Sequence, residues 1–133
     1  MMSQRDPSNW ISCTGDVVVG DTIRWEEAVF TKSRNPSLLG HRFVCAEVIK
    51  DSYGARKQQH TFTVIVLESD GYDAIPAGTK TTRKGRTIYR NGTVRLPWDD
   101  EAKRLYALDE KYKRGYMARQ ARSERIEYKE IWG

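Results

Sequence analysis

The chain has 133 residues and a net charge of +5; 31% of its residues are charged and 38% are hydrophobic. This length predicts one compact domain, and four Trp, seven Tyr and three Phe exclude a disordered chain. No run of 18 apolar residues and no apolar N-terminal segment occur, which excludes a membrane-spanning helix and a classical secretion signal. We therefore expect a cytoplasmic protein that makes no membrane contact.

The N-terminal half predicts a flexible arm followed by β-structure. Residues 1–14 are polar and predict the arm. Residues 17–19 predict a short strand, Gly20 and Asp21 a turn, and Thr22–Phe30 a second strand in which Ile23 and Trp25 share one face. Residues 32–40 have a loop composition, with Leu38 and Leu39 as a hydrophobic plug.

The two longest strand signals lie in the middle of the chain, at residues 42–50 and 60–69. A polar connection at residues 51–57 predicts that they form a hairpin. The pair Asn91-Gly92, flanked by β-forming residues, predicts a second hairpin within residues 80–96. Together these signals predict a β-barrel-like core at residues 15–97.

Residues 98–133 predict a basic amphipathic helix. Pro97 suits its first turn, and the acidic residues 99–101 complement the helix dipole. Gly115 predicts a bend or an end, and Met117 begins an apolar stripe that continues to Tyr128 and Ile131. The predicted fold is therefore α+β: a small antiparallel β-barrel or strongly bent sheet of five or six strands, followed by a C-terminal α-helical extension.

Positive charge is concentrated in one segment. Residues 74–98 hold six Lys and Arg and no Asp or Glu, so this segment alone exceeds the net charge of the chain. Clustered cations with an aromatic residue between them are typical of nucleic-acid-binding β-surfaces. We predict that the hairpin binds nucleic acid, helped by arginines of the C-terminal helix. The predicted binding residues are Lys80, Arg83, Lys84, Arg86, Tyr89, Arg90, Arg95, Arg119, Arg122 and Arg125.

The residues that lead into the second predicted strand resemble those of a known group of domains. The segment from Val19 to Trp25, with Gly20-Asp21 before the strand, resembles the strand openings of small SH3-like and PUA-like β-barrels. Many such barrels bind RNA through their edges and loops. The resemblance implies a binding surface at the barrel edge and covers residues 15–97.

Two other functions fit the sequence. One is a protein-binding regulator or inhibitor, such as one encoded by a phage or mobile element, that engages an acidic host protein or self-associates through the C-terminal helix. The other is a small ribonuclease using Glu47, His60 and Arg83. We expect no enzyme activity, because nothing in the sequence fixes the geometry of these three residues. Cys13 and Cys45 lack zinc-ligand spacing, so no metal or cofactor is expected and both are predicted to be reduced thiols.

Overall fold

The computed structural model describes residues 9–53, 60–90 and 92–132, with side chains given except at positions 53, 118, 119 and 122–132. The elements in chain order are β1 (Ile11–Ser12), β2 (Thr22–Phe30), β3 (Leu38–Tyr53), β4 (His60–Gly71), β5 (Lys80–Lys84), α1 (Gly85–Tyr89), β6 (Val94–Arg95) and α2 (Glu101–Trp132).

The strands form one antiparallel sheet in the order β1-β6-β2-β3-β4-β5. In a flat sheet, β2 and β5 would lie roughly 14 Å apart, since neighbouring strands are spaced by about 4.8 Å. Here Arg83 of β5 reaches Glu27 of β2, with Nε 2.8 Å from Oε1. The sheet therefore bends until the two strands face each other, but backbone hydrogen bonds do not close it. The predicted α+β fold, a bent sheet followed by a helix, is confirmed.

The core lies on the concave face of the sheet. Alternate residues of each long strand point to the same face, and the burial of β2 and β4 follows this rule, whereas in β3 Cys45 is also buried, beside a register shift between Cys45 and Ala46. The core members on these strands are Ile23, Trp25, Val44, Ala46, Val48, Phe62, Val64 and Val66. Ile88 of α1 completes the core and is fully buried, and α1 lies against β2, β4 and β5.

The first predicted strand is wrong. Val17 and Val18 are buried but lie in no strand, because Val17 donates its amide to the Tyr89 hydroxyl and Val18 donates to Asp21 instead of to a neighbouring strand. The predicted turn at Gly20 is present, with a positive φ of 101°. Residues 1–8 of the predicted arm lie outside the described residues, whereas Ile11–Ser12 forms β1.

The central hairpin is confirmed, whereas the hairpin around Asn91 and Gly92 is wrong. Strands β3 and β4 pair from Arg42 opposite Gly71 to Tyr53 opposite His60, and the hairpin tip lies outside the described residues. Within residues 80–96, by contrast, the chain forms β5 and then α1, and β6 pairs with β1 and β2. Burial of Ile88 and these long-range strand pairs outweigh the local turn signal, although Gly92 does have a positive φ. Asn91 itself lies outside the described residues.

Helix α2 is continuous, so the helix does not end at Gly115, which is buried within it. The inner side of α2 carries buried Arg104 and Lys111, while Leu105 and Tyr112 are exposed. Arg104 donates to Asp21, and Lys111 Nζ donates to the carbonyl oxygen of Val17 at 2.6 Å. Polar contacts therefore hold α2 against the connection between β1 and β2.

None of the helices in the described part of the chain is long and apolar enough to cross a membrane. The cytoplasmic location stays a prediction. Cys13 and Cys45 are both free thiols and both buried. Burial, together with the carboxylates of Asp21 and Asp16, raises the pKa of the Cys13 thiol to about 12, which keeps it protonated.

Candidate functional site

A groove lined by four arginines lies where the end of β2 faces α1. We call it the arginine groove; its volume is about 700 Å³, and its lining residues are Glu26, Glu27, Ala28, Phe30, Arg42, Arg83, Arg86, Thr87 and Arg90. The described lining carries four guanidinium groups and two carboxylates, so the groove is positively charged. Three elements distant in sequence, β2, β3 and the β5–α1 segment, supply these side chains.

Glu27 holds two of the arginines in place. Its carboxylate is only 7% exposed and accepts hydrogen bonds from Nε of Arg83 at 2.8 Å, Nε of Arg42 at 2.9 Å and the indole Nε1 of Trp25 at 2.8 Å. Arg83 Nη2 adds a further bond to Oε2 at 3.0 Å. One carboxylate facing two guanidinium groups leaves a net positive charge, and the fork geometry of arginine fixes where that charge lies.

The same contacts set the ionisation of Glu27. Burial by itself would raise its pKa, but hydrogen bonds from Arg83, Trp25 and Arg42 outweigh burial and lower the pKa from the ordinary 4.5 to about 2. Glu27 therefore stabilises the folded state above about pH 4.5, and this contribution is lost as the pH falls from 4.5 towards 2. The contribution at neutral pH is about 3 kcal/mol.

We expect Glu27→Gln to lower the free energy of unfolding at pH 7 by about 3 kcal/mol, because two arginines lose their counter-charge. The variant should also lose most of the decline in stability between pH 4.5 and 2 that the parent shows. Urea unfolding followed by tryptophan fluorescence at a series of pH values measures both effects. The matched control is Glu47→Gln, at an exposed position of β3. An unchanged acid profile in Glu27→Gln would contradict this account.

The predicted basic segment is divided between the two faces of β5. Successive strand residues point to opposite faces. Lys80 and Lys84 lie on the exposed face of β5, whereas Arg83 lies on the opposite face and contacts Glu27. Arg86 and Arg90 follow on α1 and at its C-terminal end, four residues apart, and both are exposed at the groove. The groove therefore brings together three of the predicted residues, and Lys80 and Lys84 are not among its lining residues.

Two predicted binding residues point into the protein. Tyr89 packs edge-on against Phe62 with ring centroids 6.0 Å apart, and its hydroxyl accepts hydrogen bonds from the Val17 amide and from Lys111. Arg95 is buried and its guanidinium donates to Glu101. These positions are occupied by intramolecular contacts, so we leave both residues out of the surface proposed below.

The C-terminal arginines of the prediction, Arg119, Arg122 and Arg125, have side chains outside the described residues. Two lysines that precede them in α2, Lys111 and Lys113, differ in their burial. Lys111 is buried, and burial lowers its pKa. Lys113 pairs with Asp109 on the exposed helix surface, at 3.2 Å.

The residues of the ribonuclease hypothesis do not meet. Glu47 is exposed on β3 and lies opposite Ile65 in β4, five residues beyond His60. At about 3.3 Å per strand residue, that places Glu47 roughly 16 Å along the strand from His60. Arg83 is engaged by Glu27. The structure therefore gives no support to a catalytic arrangement of these three residues.

Six groove residues were absent from the predicted site, and three of them, Glu27, Phe30 and Arg42, matter most for the geometry of the groove. Glu27 and Arg42 lie opposite each other in the β2–β3 pair. Their contact could be predicted only if the register of this pair were known. The alternation of β2 carried a signal for Glu27, because Ile23, Trp25 and Glu27 fall on one face. A glutamate on an otherwise apolar strand face indicates a buried ion pair.

The described residues contain no group of three or more His, Cys, Asp or Glu side chains that could hold a metal ion. The chain has two cysteines in all, so it cannot supply by itself the three cysteines of a Cys3His zinc site.

The model of one family, described as a domain of unknown function (DUF7699), matches residues 13–98, and the chain belongs to this family. The matched segment runs from the buried Cys13 to Trp98 and includes the whole sheet except β1. The arginine groove lies entirely within it.

The chain is also similar to a rice protein, the zinc finger CCCH domain-containing protein 62 of Oryza sativa subsp. japonica, at 40% identity over 126 residues. The match covers 90% of this chain but 18% of the rice protein, so the chain spans less than a fifth of that relative. No solved structure gives a significant match. These comparisons give no support to a phage-encoded regulator.

Proposed function

We propose that this domain binds nucleic acid without catalysing a reaction, and that the arginine groove is its binding surface. The observation that carries the proposal is the convergence of four guanidinium groups on one groove, with Arg86 and Arg90 exposed and Arg42 and Arg83 held in place by Glu27. Guanidinium groups are well suited to phosphate oxygens because they donate two parallel hydrogen bonds. Lys80 and Lys84 add positive charge on the outer face of β5, the strand that carries Arg83.

The rice relative adds support of a general kind. Its name records a CCCH zinc-finger domain, and zinc-containing fingers and knuckles are among the domains that bind nucleic acids. This chain would then be a second binding module beside such a domain, since it cannot form a Cys3His site alone. Linked modules on one ligand gain avidity, which suits a domain of modest affinity.

The test is direct titration of the purified protein with labelled 20-nucleotide single-stranded RNA, single-stranded DNA and duplex DNA between 50 and 300 mM NaCl. Each phosphate contact to a single strand contributes about −0.7 to the slope of log K against log salt. We expect a slope of about −1.4 from Arg86 and Arg90 alone and of about −2.8 when all four arginines take part. Binding that is absent at 50 mM NaCl, or that does not change with salt, would refute the proposal.

A second candidate function is protein binding or self-association through α2. Leu105, Tyr112 and Tyr116 are exposed at spacings of seven and four residues, which places them on one side of the helix. Met117 is exposed beside them, whereas the side chains of Tyr128 and Ile131, predicted for the same stripe, lie outside the described residues. If the protein binds none of the three nucleic acids at 50 mM NaCl, we would instead assign its function to protein binding through this surface of α2.

A further inference from the structure

The arginine groove continues into a second depression with a different chemistry. This depression, which we call the aromatic depression, also has a volume of about 700 Å³ and is lined by Ala28, Val29, Phe30, Thr31, Lys32, Leu39, Arg42, Tyr72 and Asp73. Ala28, Phe30 and Arg42 line both, so the two depressions are neighbours, and together we call them the channel. Cations lie towards one end of this channel and exposed aromatic and aliphatic side chains towards the other.

The aromatic rings of the depression are exposed and available. Phe30 is 53% exposed and Tyr72 is 47% exposed. The hydrophobic plug predicted at Leu38 and Leu39 is wrong: both residues begin β3 and both are exposed. A monomeric protein rarely leaves several large apolar side chains together at the surface unless they bind something.

Tyr72 is held in place by specific backbone features. A Cβ added at Gly40 would lie 2.8 Å from Cβ of Tyr72, so Tyr72 lies directly against the bare backbone of Gly40. The amide of Tyr72 donates to the carbonyl oxygen of His41 at 2.9 Å. On the following residue, the carbonyl oxygen of Asp73 accepts a hydrogen bond from Arg42 Nη1 at 2.8 Å. The start of the connection between β4 and β5 thus presents the tyrosine in a defined position.

Arg42 connects the two parts of the channel. Its Nε and Nη2 bind Glu27 in the arginine groove, while Nη1 binds Asp73 beside Tyr72. Phe30 lines both depressions. Arg42 is therefore held on one side by the buried glutamate that also fixes Arg83, and on the other by the residue after Tyr72.

From this arrangement we infer that the ligand is a single-stranded nucleic acid, with phosphates in the arginine groove and bases stacked on Phe30 and Tyr72. The inference rests on the function proposed above and narrows its ligand class. In a duplex the base faces are stacked on one another and cannot contact a protein ring, whereas single strands offer every base for stacking. The charge of the neighbouring groove selects a polyanion over an apolar peptide as the occupant.

The inference is tested by measuring the affinity of Phe30→Leu and Tyr72→Leu for a 20-nucleotide single strand and for the corresponding duplex across a salt series. Loss of one stacked base lowers affinity by roughly 5- to 100-fold. We expect each variant to weaken single-strand binding in this range with no change in the salt slope, because no phosphate contact is removed. Gly40→Ala should weaken binding similarly by displacing Tyr72. The matched control is Phe43→Leu, an exposed aromatic on β3 that contacts Arg24 and lines neither depression.

The outcomes separate this inference from the proposed function. If Phe30→Leu and Tyr72→Leu bind the single strand like the parent protein while loss of Arg86 and Arg90 abolishes binding, the arginine groove stands and base stacking is refuted. Equal affinity of the parent protein for single strand and duplex refutes the single-strand inference as well. Absence of all nucleic-acid binding at 50 mM NaCl refutes the proposed function, and the inference with it.

Discussion

Replacing Asp21 with alanine is expected to lower the free energy of unfolding by about 3–5 kcal/mol, the range for removing one partner of a buried ion pair. The side chain of Asp21 is fully buried, and its carboxylate accepts hydrogen bonds from Arg104 Nε and Nη2, both at 2.9 Å. It also accepts from the Trp98 indole at 2.6 Å and from the Val18 amide at 3.0 Å. The substitution would leave the Trp98 indole, the Val18 amide and Nε of Arg104 without their acceptor, and Arg104, which is buried, would keep only the half-buried carboxylate of Asp16, 3.6 Å away, as counter-charge.

Asp21→Asn separates charge from shape. Asparagine has nearly the same size, but its NH2 group would face donors of Arg104, Trp98 or Val18. We expect this variant to lose nearly as much stability as the alanine variant in urea unfolding followed by circular dichroism. Asp99→Asn, at an exposed position, is the control and should stay within about 0.5 kcal/mol of the parent. A similarly small change in Asp21→Asn would show that the ion pair does not anchor α2.

Reversing the charge of Arg86 and Arg90 to glutamate is expected to weaken single-strand binding by at least roughly 100-fold. A hydrogen bond to a charged group contributes about 1.5 kcal/mol or more, so two lost contacts amount to about 3 kcal/mol, and every 1.4 kcal/mol is a factor of about ten in affinity. The new carboxylates add repulsion of the phosphates. Both residues are exposed, so the fold should be retained, and fluorescence anisotropy at 100 mM NaCl measures the effect.

The matched control is Lys80→Glu with Lys84→Glu. It changes the net charge by the same amount and lies in the adjoining strand, but on the outer face of β5 and away from the arginine groove. We expect this control to weaken binding by less than about tenfold, because it acts only through the overall field. Equal losses in the two double variants would mean that net charge, and not the groove, determines binding.

Much of the fold could be predicted because strand alternation is a local property. Ile23 and Trp25 fall on the buried face of β2 as their spacing predicts, and β3 and β4 pair as the polar connection between their signals predicts. The errors occur where a distant partner decides the structure. Gly92 has the positive φ that its turn signal predicts, but β6 pairs with β1 and β2 because Ile88 enters the core and removes its segment from any local hairpin.

The candidate site could also be predicted only where the signal is local in the sequence. Arg83, Arg86 and Arg90 were selected by local charge density, and all three line the groove. Phe30 and Arg42 lie 41 residues or more before Arg83 in the chain, so only the bend of the sheet reveals that they share a surface with it. Tyr89 was selected as the aromatic partner because of its neighbours in sequence, whereas a helical turn directs it to Phe62 and Lys111. Short helices such as α1 have too little local signal to be recognised without their tertiary contacts.

The cations of β5 have a second effect that concerns the solubility of the protein. In the described part of the chain β5 is the last strand of the sheet, so one side of its backbone lacks a paired strand. Such an edge can recruit a strand from another molecule and start aggregation, and charged side chains, lysine above all, prevent this. Lys80 and Lys84 lie on this edge. Variants that make these lysines apolar would therefore be expected to form edge-to-edge oligomers, whatever their affinity for a ligand.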